Sequence, residues 1–148
     1  MRLWARHTWV LATLLAGLLS AGCGGVDTSG DAAKIRQTVT QELGDLARGD
    51  GPGACALATP TGQTELASGS PHKTCSEAIT LVSQNLAPEV KQGLLSVKVN
   101  KVTISGGSAT VSNADITSTQ GSVSSFLDPA SAPTVLVKQP DGSWKIAG

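Results

Sequence analysis

The sequence predicts an α+β fold in which N-terminal helices pack on one face of a curved antiparallel β-sheet. Three observations carry that prediction. Apolar residues recur at helical spacing through the first half of the chain, the period changes to two after Leu95, and two Gly- or Pro-containing turns divide the second half into hairpins.

The first helix is written in "DAAKIRQTVTQELGDLARGD", where Ile35, Val39, Leu43, Leu46 and Ala47 form one apolar stripe. Asp31 is expected to cap its start and Gly49 its end. Ala54 to Ala58 and Pro60 to Ala67 read as two short helical pieces, with Thr59 a cap before a proline in the first turn. In "TCSEAITLVSQNLA", Thr74 and Glu77 make a capping box, and Cys75, Ala78, Ile79, Val82 and Leu86 share a face. Pro88 then begins another turn. The segments "SVKVNKVTIS" and "SATVSNADIT" flank Gly106-Gly107, a two-residue hairpin loop. "PTVLVKQ" and "SWKIAG" follow, joined by Pro140, Asp141 and Gly142. Between these hairpins lies the polar stretch Ser118 to Pro133, which reads as either a short edge strand or a mobile loop.

Composition narrows the function. At 148 residues the chain is one domain's worth. Arg2 and Arg6 precede the charge-free run "VLATLLAGLL" and then small residues, the order of an export signal. The run is shorter than the roughly 20 apolar residues that span a bilayer. The following Ser20, Ala21, Gly22 and Cys23 resemble the lipobox of bacterial lipoproteins, with Ser20 standing where that family most often has Leu, Val or Ile. The resemblance implies cleavage before Cys23, acylation of its thiol, and attachment to the extracytoplasmic face of the cell membrane. Ordinary signal cleavage is the alternative. Residues 1–22 are thus expected to be a signal peptide, 23–30 a lipidated cysteine with a flexible tether, and 31–148 the domain. Two acyl chains hold a protein durably where one does not. The mature chain would keep Phe126 and Trp144 as its aromatic residues and nine basic against eleven acidic groups. No basic field remains to attract nucleic acid.

Once Cys23 is acylated, Cys55 and Cys75 remain, and two thiols in an oxidising compartment most simply form one disulfide. A metal site of Cys55, His72 and Cys75 lacks the fourth soft ligand that structural zinc requires. A catalytic thiol lacks an orienting acid beside His72, which reads as a solvated loop residue. No metal or cofactor is expected.

The Gly106-Gly107 loop sets a register that pairs Ile104 with Ala109, Val102 with Val111, Asn100 with Asn113 and Lys98 with Asp115 on one face. Val99 then meets Ala114 and Val97 meets Ile116 on the other. Apolar character changes faces midway, which calls for bulges at Asn100 and Asn113 or an exchange of covered and open faces.

The order of elements, with "LARGD", "ACALATP", "CSEAI" and "DGSWKIAG", resembles the NTF2-like superfamily, and within it the small secreted lipoproteins of actinobacteria, over Asp31 to Gly148. That resemblance implies a cone-shaped domain whose mouth would be lined by Lys98, Asn100, Asn113 and Asp115. The competing reading of those four is an ion pair and two bulge asparagines facing water. A lyase or isomerase of the SnoaL or ketosteroid isomerase type would need a buried carboxylate, for which Asp115 is the candidate, but the chain has no tyrosine to serve as the usual phenolic donor. Glu42, Asp45, Glu65 and Glu89 are expected on solvated helix faces. The function expected is a non-enzymatic binding or accessory module for an apolar small molecule or an envelope protein, with pairing of two copies through the sheet face as a further arrangement. The lyase or isomerase is the alternative.

Overall fold

The computed structural model describes residues 29–68 and 74–147, so the expected signal segment, Cys23, most of the expected tether and His72 lie outside the described residues. Among the described residues five helices precede six antiparallel strands, in the order that the change of period predicts.

Helix α1 spans Gly30–Arg48, and its predicted stripe from Ile35 to Ala47 is buried along its length. The helix ends as expected at Gly49, whose left-handed backbone (φ 75°) lets its N–H reach the Asp45 and Leu46 carbonyls. Its start differs from expectation. Ser29 is the cap, its Oγ accepting from the Ala32 N–H at 3.2 Å. Asp31 sits one residue inside the helix and turns to the sheet instead, accepting from Lys138 Nζ at 2.7 Å and Trp144 Nε1 at 3.1 Å.

Helix α2 (Gly51–Ala56) starts earlier than expected, because Asp50 caps it through the Gly53 N–H and Pro52 occupies its first turn. Leu57 keeps helical backbone (φ −84°, ψ −10°), and the chain leaves the expected helix at Ala58. Ala58 bridges Ile146, with Thr59 N–H donating to the Ile146 carbonyl at 2.8 Å and Ile146 N–H to the Leu57 carbonyl at 2.9 Å. This strip covers backbone groups that a bare sheet edge would leave open. Helix α3 (Pro60–Ser68) is capped by Thr59 through the Gly62 N–H. Helix α4 (Cys75–Asn85) has the predicted Thr74 cap, with Glu77 N–H donating to Thr74 Oγ1, but Glu77 Oε2 accepts from the Thr74 hydroxyl where a capping box would have it accept from the Thr74 backbone N–H. Helix α5 (Pro88–Leu95) packs along α1. The Cys55–Cys75 disulfide is formed and fastens α2 to the first residue of α4 across a Cα–Cα distance of 6.1 Å.

Four strands, β2 (Thr103–Ser105), β3 (Ser108–Val111), β5 (Thr134–Lys138) and β6 (Trp144–Ile146), form one sheet in that order. Ala109, Val111, Leu136, Trp144 and Ile146 turn to one side and are buried under the helical layer, where α1 meets β6. The other side shows Thr103, Ser105 and Ser108 exposed, with Val135, Val137 and Lys145 half-buried.

The hairpin register holds at Ile104 with Ala109 and Thr103 with Thr110 and then breaks. Strands β1 (Val97–Val99) and β4 (Ile116–Ser118) form a separate two-stranded ribbon in which Val99 faces Ile116 and Lys98 faces Thr117, two residues from the expected pairing. Lys98 therefore does not oppose Asp115. A single 3-10 turn at Asn113–Asp115, capped by Ser112 Oγ, absorbs the offset. Burial explains the choice. Strict alternation from Val102 would drive Lys98 and Asn100 inward, whereas the break buries Val97, Val99 and Ile116, all 7% exposed or less. The irregularity thus falls at the two predicted asparagines but is a turn and a register shift. Arg36 ties α1 to this ribbon, its Nε donating to the Val99 carbonyl at 3.2 Å.

Ser118 to Pro133 is neither a lone edge strand nor a free loop. After β4 its backbone is held by Ser96, through the N–H groups of Thr119 and Gln120, and by the Glu89 carbonyl, which accepts from Ser122. Gly121, at φ 66°, lies so close to Glu89 and Gly93 of α5 that a Cβ there would collide with backbone. Val123, Phe126 and Leu127 then turn into the core.

Candidate functional site

The packing of α1, α3 and α4 leaves a cleft of about 400 Å³ closed on its far side by residues 126–134. Leu43 and Leu46 line it from α1, Leu66 from α3, and Ile79 and Val82 from α4, with Phe126 and Leu127 opposite. Val82, expected in the core, is 38% exposed because it fronts this opening. A smaller neighbouring recess of about 310 Å³, bounded by Gly62, Glu65 and Ile146, has Glu42, Leu66 and Thr134 in its lining as well. These dimensions fall in the range of small-molecule sites, which are mostly apolar with a few polar groups.

Glu42 is the titratable group common to both linings. Its side chain is half-buried and, among the described residues, takes part in no hydrogen bond or ion pair. Burial raises its carboxyl from 4.5 to about 7, and the neighbouring Asp45 adds to the rise. Asp45 is itself only 5% exposed: Arg48 donates to one carboxylate oxygen at 2.6 Å and the other is buried without a partner. Neither acid therefore lies on the solvated face expected from the sequence. A signal for Glu42 existed, since it stands seven residues after Ile35, three after Val39 and four before Leu46, on the apolar stripe itself.

The four residues expected at the cone mouth are not brought together. Asn113 lines the cleft, and its Nδ2 donates to the Asp128 carbonyl at 3.0 Å. Lys98 is exposed on β1, Asn100 donates from Nδ2 to Thr117 Oγ1 at 3.2 Å in an exposed position, and Asp115 is half-buried in the 3-10 turn; none of these three lines the cleft. Register is the reason: the pairing that would align them is the one the ribbon abandons.

A second depression, about 380 Å³, runs between α1 and the turn before β6. Two of its three charged groups are engaged, Lys34 donating to the Gly142 carbonyl at 3.0 Å and Asp141 accepting from the Ser143 N–H at 2.9 Å and from its hydroxyl at 2.6 Å, and the third is a cation, Lys145. It offers no unpartnered acid comparable to Glu42. Among the described residues no group of three or more His, Cys, Asp or Glu is placed to hold a metal ion, and no helix is long and apolar enough to cross a membrane. No protein-family model matches the chain, and neither a curated protein nor a solved structure is found to match it.

Proposed function

We propose that this chain is a lipid-anchored, extracytoplasmic binding module of NTF2-like type whose Glu42 cleft holds an apolar small molecule. The observation that carries the binding role is an open, mainly aliphatic cleft containing one unpartnered carboxyl group. The helices-then-hairpins order supports the fold assignment, and the lipobox-like Ser20 to Cys23 supports the anchor. The disulfide joining α2 to α4 suits an oxidising compartment.

An isomerase or lyase is a weaker reading, although Glu42 resembles a general base more than Asp115 does. Such chemistry needs hydrogen-bond donors facing the carboxylate across the substrate. Asn113 gives one of its two N–H groups to Asp128, and the sequence contains no tyrosine. A protein partner on the sheet face is also less favoured, because the large hydrophobic residues exposed among the described ones, Val82 and Leu95, lie on helices.

Native mass spectrometry of the full chain, expressed in a bacterial host and extracted from its membranes, tests the proposal. The expected species begins at Cys23, carries acyl chains and retains a small-molecule adduct. An intact precursor in the cytosol with an unmodified Cys23 thiol would overturn the anchor. An anchored protein that never retains or takes up an apolar molecule would overturn the binding role.

A further inference from the structure

We infer that the Glu42 cleft selects ligands that join an apolar body to a single cationic amine, with the ammonium group seated against Glu42. The inference rests on the cleft being the ligand site and names the class of ligand it takes. Charge and hydrogen-bond capacity both point to that class. The titratable groups bordering the cleft and its recess are Glu42 and Glu65, both acids, and no lysine, arginine or histidine is among the lining residues. α4, the 126–134 segment, β5 and β6 contribute no ionisable side chain to this lining. On α1 the next charge is Asp45, and the one cation near it, Arg48, is bound to that aspartate.

The polar atoms available to a ligand are mostly acceptors. Glu42, when ionised, only accepts. Asn113 gives one Nδ2 N–H to the Asp128 carbonyl and keeps its side-chain oxygen and second N–H, and the Thr134 hydroxyl can accept or donate, so with the carboxylate oxygens of Glu42 acceptors outnumber donors at the cleft. An ammonium brings three donors, no acceptor and the charge that the cleft lacks, whereas a carboxylate ligand would meet like charge and few donors. Aliphatic walls from Leu43, Leu46, Leu66 and Ile79 would cover the apolar body. The raised Glu42 carboxyl is consistent with a group waiting for a counter-charge: a seated ammonium would favour its ionised form, and binding would release a proton.

The test uses the full chain in a neutral maltoside detergent, titrated calorimetrically with three cage compounds of matched shape: 1-adamantanamine, 1-adamantanol and 1-adamantanecarboxylate. At pH 8 the amine should bind on the order of tenfold more tightly than the alcohol, the gain typical of a charge-assisted hydrogen bond, and the carboxylate should bind most weakly. Glu42→Gln should bring amine and alcohol to within about twofold of each other, the order of the spread between neutral hydrogen bonds, while retained alcohol binding shows that the variant is folded. Without any variant, wild-type affinity for the amine should fall about tenfold from pH 8 to pH 6 as Glu42 protonates, and that for the alcohol should not. Equal binding of amine and alcohol, or preference for the carboxylate, would overturn the inference while leaving the cleft as a binding site. Failure of all three compounds to bind would overturn the cleft's binding role and the inference with it.

Discussion

Replacing Glu42 by Gln should stabilise this protein in a pH-dependent way, because ionising a half-buried, unpartnered carboxylate opposes folding. The carboxyl moves from 4.5 to about 7 on folding. At about 1.4 kcal/mol per pH unit, this sets a ceiling of about 3 kcal/mol. The side chain keeps some contact with water, and solvent screening reduces the effect to about 1–2 kcal/mol. The sign follows from linkage: between pH 4.5 and 7 the folded state holds a proton that the unfolded state has released, so wild-type stability falls as pH rises through this window and levels off above it. The glutamine variant cannot ionise and should lack that slope. Urea unfolding of both full chains at half-unit steps from pH 4 to pH 8.5 measures the difference, which should grow by about 1–2 kcal/mol in favour of Gln across pH 4.5 to 7 and stay level above that. A difference that stays constant across the range, or grows toward acid, would refute the placement of Glu42 in an apolar cleft.

Removing the Cys55–Cys75 bridge, by Cys55→Ala with Cys75→Ala, should cost about 3 kcal/mol in the chain-entropy model for its separation of 20 residues, measured by urea unfolding under non-reducing conditions. Gly121→Ala should cost about 1–3 kcal/mol through left-handed strain, and more from collision with α5; amide exchange at Lys91 to Gly93 should accelerate if the segment after β4 is pinned there. Asp31→Asn should destabilise at neutral pH, since Lys138 and then Trp144 hold the Asp31 carboxyl below its ordinary value; the gap from wild type should close as acid protonates Asp31, which pH-dependent thermal unfolding would detect. Leu136→Ala, at a side chain with no exposure in the middle of the sheet, should cost about 2–5 kcal/mol by the same assay.

Much of the architecture was readable in local patterns. The apolar stripe of α1, Gly49, the Thr74 cap and the Gly106-Gly107 loop each act within a few residues of themselves, so neighbouring sequence contains the physics that decides them. The errors fall where distant groups compete. Asp31 is as good a cap as Ser29 by residue type, but Lys138 and Trp144, more than a hundred residues away, draw its carboxylate to the sheet. Ala58 looked like helix because its pairing with Ile146 is invisible locally.

The candidate site was less legible. Lys98, Asn100, Asn113 and Asp115 were grouped by a register that only the burial of Val97, Val99 and Ile116 could veto. Glu42 stood on an apolar stripe in plain view, yet a glutamate there can reach water or face a void, depending on what α3, α4 and residues 126–134 do around it. By itself the sequence determined the class of fold, the helix stripes, the turns and the availability of two cysteines to pair. The tertiary structure alone decided the ribbon's register, the docking of the long segment after β4 and the position of Glu42 in a cleft. The physical reason is range: caps, turns and periodicity are settled by neighbours, whereas burial is a sum over every element that packs nearby.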